Sequence, residues 1–355
     1  MTIKNDYRYG VELYRRESPK TIGELIGSAP IEVDWEPALN YCQFLGIRRG
    51  RLPAQLSIGN SAIVPIWSDS IGAPYMQGFR SSILADGNSK GFTSDFPNTY
   101  FGDLARRASA DFVEQNKLKA DERFFYLVTA FPAETPLSTG GPDRGGILVQ
   151  EVPTPLPVSA KSLHALVQES QPVGTVADTD VPVFLHKMII EEAFRRTIEA
   201  GSHETGGILI GYLHRDVSTP EIMVEVTAEV PAEHSRSELY SLSFTAHTWT
   251  AVGQTIRLRN KGEIMLGWWH SHSYLQEECK KCEHSEETKS QHTAVYMSAK
   301  DCALHRTVFS PAYSLALVIG NTGCNGLRYG LYGWSMGKVQ ARGFRILDGK
   351  GTEKK

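Results

Sequence analysis

"GEIMLGWWHSH", residues 262–272, places two histidines two positions apart at the end of an apolar run. Side chains two apart on a β-strand share a face, so a strand reading aims the imidazoles of His270 and His272 at one point, which is how a metal ion is gripped. An isolated His-x-His is more often a pair of surface or core histidines, so the surrounding residues must decide.

Upstream, "FLHKMIIEEAFRRTIEAG" (184–201) reads as a helix ended by Gly201, and "GGILIGYL" (206–213) as a buried strand. "EIMVEVTAEV" (221–230) reads as its partner strand and "TAHTWTAVGQTIRLRNKG" (245–262) as a second helix closed by Gly262. The order α, β, β, α, β implies a sheet flanked by helices.

Three further residues fall into line with the histidine pair. Glu204 stands at the helix-to-strand corner, and Ser298 and Asp301 stand in "YMSAKD" (296–301), before an expected helix, "CALHRTVF" (302–309). Taken alone, Glu204 reads as a solvated residue near a helix end, and Ser298 with Asp301 as a capping box. A capped helix start is also a rigid mount for a ligand. Two neutral imidazoles and one carboxylate leave a tetrahedral zinc with an open position for water, the arrangement of a catalytic rather than a structural site. Zinc lowers the pKa of that water to about 7, and a nearby carboxylate must carry its proton to the leaving amine. Glu204 suits that role.

In this order and on these elements, the residues resemble the JAMM (MPN+) zinc metalloprotease family, whose motif runs Glu, His-x-His, Ser-x-x-Asp. "ETGGILIG" (204–211) and "GWWHSH" (267–272) add family-like context. The resemblance covers roughly residues 181–347. It implies an α/β (α+β) MPN-type domain, a mixed curved sheet flanked by helices. It further implies zinc on His270, His272 and Asp301, with Ser298 as a donor to the developing oxyanion. The implied activity is cleavage of peptide or isopeptide bonds after the C-terminal glycine of a ubiquitin-like protein. A bacterial ubiquitin-like pathway, with its activating and conjugating enzymes as partners and in some cases an antiphage role, is the branch expected by analogy. Two other readings stay open: a JAMM-type hydrolase of a small amide or sulfur-carrier conjugate, and a non-catalytic MPN scaffold.

The chain departs from the family pattern after His272. Ser273 stands where a proline is common, and 273–297 is a long insertion between the second histidine and Ser298. Within it lie Cys279 and Cys282, and after Asp301 come Cys302 and His305. Three thiolates and an imidazole at Cys-x-x-Cys and Cys-x-x-His spacing are a structural-zinc set, with His284 or His292 as substitute ligands. A small polar insertion cannot order itself by burial, so a second, structural zinc is expected to anchor it. A mobile loop with free thiols or a redox pair is the alternative.

The chain has 355 residues, 41% hydrophobic and 22% charged, with a formal net charge of -3. Length favours two domains, and the charge gives no reason to expect nucleic acid or an anionic membrane as partner. The first 17 residues lack the apolar core of a secretory signal, and no apolar run is long enough to span a bilayer, so a cytoplasmic protein is expected. Five cysteines, an odd number, favour metal ligation or redox chemistry over structural disulfides there. The proline-containing stretch 152–180 is read as a linker between a separate α+β domain of unknown fold (1–151), suited to binding substrate or partner, and the catalytic domain (181–347). A polar tail (348–355) follows. In the first half, "FGDLARRASADFVEQNK" (101–117) reads as an amphipathic helix, and "RFFYLVTAF" (123–131) and "GGILVQEV" (145–152) as strands.

Overall fold

The computed structural model describes residues 3–18, 21–54, 60–69, 74–83, 91–133, 155–177, 179–232, 236–238, 241–272, 295–321 and 326–348. It is a mixed α+β structure in two compact units, Met1–Ile47 with Arg51–Pro155, and Arg48–Gly50 with Leu156–Lys355.

The first unit is built on a seven-stranded sheet of β1 (Ile3–Lys4), β2 (Tyr7–Ser18), β3 (Thr21–Ile31), β4 (Ser61–Trp67), β5 (Tyr75–Ile83), β6 (Phe92–Pro97) and β7 (Phe124–Pro132). The strands run in the order β1-β4-β5-β7-β2-β3, with β6 on β5. Helices α1 (Glu36–Arg48) and α2 (Gly102–Glu114) complete it. Helix α2 forms where the apolar residues recur every three or four positions: Ala105, Ala108 and Phe112 are buried while Arg106 and Arg107 face solvent. Trp35, Phe79, Phe96 and Phe101 make the aromatic centre, with Phe79 stacked on Phe96 and Trp35 edge-on to Phe79, both at 4.9 Å. The expected strand at 145–152 lies outside the described residues.

The second unit carries a ten-stranded sheet. Its strands are β8 (Val158–Lys161), β9 (Ser170–Val173), β10 (Val183–His186), β11 (Gly206–Asp216), β12 (Ile222–Pro231), β15 (Ile264–His272), β16 (Leu315–Asn321), β17 (Leu327–Ser335), β18 (Lys338–Arg342) and β19 (Phe344–Leu347). A separate hairpin pairs β13 (Arg236–Glu238) with β14 (Ser241–Ser243). The main path runs β18-β17-β16-β15-β11-β12-β10-β19-β9, with β8 alongside β11. Helices α3 (Leu163–Gln168), α4 (Lys187–Ala200), α5 (Ala246–Arg259) and α6 (Ala299–Val308) accompany the sheet. Trp268 of β15, Ile208 and Ile210 of β11, Val252 of α5, Phe309 and Ala316 form one core cluster, against which Leu304 and Val308 of α6 pack.

Three sequence expectations need correction here. From Leu156 onward, the stretch read as a linker is part of the fold: β8 pairs with β11, β9 pairs with β19, and Leu166 of α3 is buried against Phe184, Met223 and Leu347. Two four-residue strands and one short helix are too brief to show a periodicity, and a single leucine does the packing. Secondly, Phe184, Leu185 and His186 are strand rather than helix. Val183, Phe184 and Leu185 are all buried because β10 is paired in parallel on both sides, by β12 and β19. Thirdly, α5 ends at Arg259 with Asn260 as its left-handed cap (φ 48°), and Gly262 only turns the chain afterwards.

Gly267 matters for the site. Its φ is +153°, and a Cβ there would meet the Leu315 carbonyl oxygen at 2.0 Å. Only glycine lets β15 and β16 come this close immediately before Trp268 and His270.

Candidate metal centre

Strand β15 presents His270 and His272 on one face, as the alternation of a strand requires, and both are buried. Their Nε2 atoms face each other at 3.0 Å. The N-terminus of α6 brings Asp301 against them, with Oδ2 3.4 Å from Nε2 of each. These three groups can hold a metal ion, their ligand atoms all lying within 4.8 Å of one another.

Asp301 is mounted by a capping box. The Ser298 N–H donates to Asp301 Oδ2 at 2.8 Å, and the Asp301 N–H donates to Ser298 Oγ at 3.2 Å. The bland and the functional readings of this pair therefore hold together: the bonds that start the helix also aim the carboxylate.

Glu204 precedes β11, whose Gly206 is in register with His270 on β15. Two bonds tie this corner to the histidine strand. The Thr205 N–H donates to Ser271 Oγ at 3.0 Å, and the Ser271 N–H donates to the Thr205 carbonyl at 2.8 Å. Ser271 was not singled out from the sequence, although a fully buried serine between two ligands is a signal that its hydroxyl is in use. Tyr296, 55% exposed, sets its ring 4.8 Å from the His272 ring.

The electrostatics follow from burial and proximity. Burial pushes the Glu204 carboxyl up to about 7, against the pull of His272 and with a further push from Asp301. Burial also lowers His270, which favours the neutral ring that a metal ligand needs. For Asp301, burial acts upward, but hydrogen bonds from His270 and His272 outweigh it and hold the carboxyl below its usual range. Three potential ligand atoms crowd one place. Zinc–nitrogen bonds of about 2.0–2.1 Å at tetrahedral angles separate ligand nitrogens by about 3.4 Å, somewhat more than the 3.0 Å between the two Nε2 atoms here.

The expected second zinc set is only partly within view. Cys279, Cys282, His284 and His292 lie outside the described residues. Cys302 is a half-buried cysteine on α6, outside any disulfide. His305 is fully buried, its Nδ1 accepts the Trp268 Nε1–H at 3.1 Å, and its ring packs against Phe309 and Trp334. It sits in the core beneath the helix. The i, i+3 spacing that suits two ligands also suits an inward-facing helix residue.

No protein-family model and no curated protein matches the chain. A solved structure it resembles is a protein from Desulfitobacterium hafniense, determined in solution. The two are 19% identical over 47% of this chain and 93% of that one, with a TM-score of 0.33, a likeness too low to bear on fold or function. Among the described residues no helix is long and apolar enough to cross a membrane.

Proposed function

We propose that the second unit is an MPN-type domain and that the protein is a JAMM-like zinc metalloprotease. Its substrate on this reading is the peptide or isopeptide bond after the C-terminal glycine of a ubiquitin-like protein. The observation that carries the reading is the convergence of His270, His272 and Asp301, with a half-buried carboxyl, Glu204, near enough to feel the charges of His272 and Asp301. A metal held by the three ligands supplies Lewis-acid polarisation of the scissile carbonyl and acidifies an attacking water.

The chain's own residues do the rest. A carboxyl with a pKa of about 7 is poised to take a proton at neutral pH and to return it to a departing amine. The Ser271–Thr205 bonds hold the backbone beside Glu204 in register with the histidine strand. Ser298 accepts the Asp301 N–H through its oxygen and keeps its hydroxyl hydrogen to donate to a developing oxyanion.

The test uses full-length protein loaded with Zn2+ and a ubiquitin-like protein joined by its terminal glycine to a lysine side chain. Wild type is expected to cleave it. Glu204→Gln is expected to retain zinc and lose cleavage by a factor of about 100 to 10,000, the range for loss of a general base. Wild type that holds zinc and cleaves only a small amide would replace the substrate assignment. Glu204→Gln with the wild-type rate would remove its role.

A further inference from the structure

A metal-bound histidine is ordinarily oriented through its second ring nitrogen, which donates to a carboxylate or carbonyl. Among the described residues the buried Nδ1 of His270 has no such partner, which leaves the plane of the ring and the direction of Nε2 to be fixed by packing.

The only ring lying flat on it among the described residues is that of Trp268, two positions earlier on the same strand face, at 4.5 Å between centroids and 13° between planes. A tryptophan face alone is a weak guide, because an indole can slide in its own plane. This one is pinned at its edge, where Trp268 Nε1–H donates to His305 Nδ1 at 3.1 Å. His305 is in turn fixed from α6, the helix whose first turn carries Asp301, and is enclosed by Phe309 and Trp334. Phe309 also stacks on Trp268, at 5.9 Å and 10°.

We infer that His305 and Trp268 are positioning residues for the metal: His305 holds the indole by its N–H, and the indole face sets the His270 imidazole for coordination. The inference rests on His270, His272 and Asp301 holding a metal. It gives the Cys-x-x-His histidine a task in the metal centre other than ligation of a second zinc. It also links the two walls of the site, since α6 supplies Asp301 directly and orients His270 through the indole.

The experiment measures Zn2+ affinity of the full chain by competition with a chelator, together with the melting temperature of the metal-free protein. His305→Leu keeps the volume and removes the acceptor. It is expected to weaken Zn2+ binding by roughly 10- to 100-fold, the usual range for outer-shell partners. The metal-free melting temperature should move little, because the variant exchanges one unpaired buried nitrogen, His305 Nε2, for another, Trp268 Nε1. His305→Asn offers an amide oxygen in place of Nδ1 and is expected to recover affinity to within about threefold of wild type. Trp268→Phe retains an aromatic face but has no N–H, and should weaken binding as His305→Leu does. Combined, the two should be no weaker than either alone, because they remove the same bond.

Equal Zn2+ affinity in wild type and His305→Leu overturns the inference, as does an Asn variant no better than Leu, the mark of a merely structural residue. If His305→Leu does not fold, Trp268→Phe and His305→Asn decide by the same comparison. Wild type that binds no Zn2+ at all would instead overturn the metalloenzyme reading beneath it.

Discussion

The sheet of the second unit carries two clusters of the same composition, two histidines and one carboxylate, and they behave as opposites. At one, Nε2 of His270 and of His272 face each other at 3.0 Å with the Asp301 oxygen 3.4 Å from both. At the other, Glu225 of β12 takes His186 on Oε1 at 3.0 Å and His214 on Oε2 at 2.7 Å. Lys161 of β8 reaches the same Oε2 at 2.5 Å, and Ser159 Oγ is 2.7 Å from His214 Nδ1. The second cluster is closed on itself: its charges are matched by a lysine of the chain and its histidines point at different oxygens. Burial would raise the Glu225 carboxyl, but the bonds from His186, His214 and Lys161 prevail and hold it well below its usual range. What lets the first cluster hold a metal is therefore the convergence of its three ligand atoms on one place, and residue composition alone does not reveal it.

The largest effect that can break this comparison is on stability. Glu225 is 5% exposed, and Glu225→Ala removes the carboxylate that pairs with Lys161, His186 and His214. Hydrogen bonds to a charged group contribute about 1.5–3 kcal/mol each, less for the solvent-open lysine, so losing the three that Glu225 accepts costs several kcal/mol. Denaturant unfolding should show a loss of that order, while Zn2+ affinity stays within about twofold of wild type. A Glu225→Ala protein that folds normally and loses its metal would mean the two clusters had been assigned the wrong way round.

Asp301→Ala is the mirror experiment. Sharing a structural-zinc binding energy of roughly 10–16 kcal/mol over four ligands gives about 3 kcal/mol each, so Zn2+ affinity should fall on the order of 100-fold. Stability without metal should fall by only about 1 kcal/mol, for the lost reciprocal bond of the capping box. Metal analysis and denaturant unfolding of the same sample test both arms. Undiminished zinc in Asp301→Ala would exclude it as a ligand.

How much of this could be read in advance differs between the clusters for a physical reason. The first is built from two local pairs, His-x-His on one strand and Ser-x-x-Asp on one helix start, and strand alternation and cap geometry account for each pair. The pairs were joined to each other and to Glu204 in the sequence only by their resemblance to the JAMM motif order. The second cluster joins residues 159, 161, 186, 214 and 225, and nothing marks them as neighbours until β8 is laid against β11 and β10 against β12. Two of those pairings involve the four-residue strands that periodicity passes over. His305 was visible as a residue but not as a role, because helical spacing does not say which face meets the sheet. Its burial beside Trp268 comes from packing in the core formed with Phe309.

The smallest effect is the sharpest on the comparison itself. Lys161 is 38% exposed at its side chain, and its ammonium pairs with Glu225. Replacing it by methionine keeps the stem and removes the charge. A pair this open to solvent is screened, and the loss of stability should be under about 1 kcal/mol, roughly a few degrees in the melting temperature. If the lysine alone kept a metal out, Lys161→Met would raise zinc content by one ion per chain. The geometry argues otherwise. His186 and His214 lie on opposite oxygens of Glu225, and His214 Nε2 is already engaged at 2.7 Å, so removing the ammonium leaves no point at which two imidazole lone pairs and a carboxylate meet. Zinc content of Lys161→Met is therefore expected to equal that of wild type. A gain of one zinc, lost again in Lys161→Met with His214→Ala, would show that the cation and not the facing of the ligands separates the two clusters.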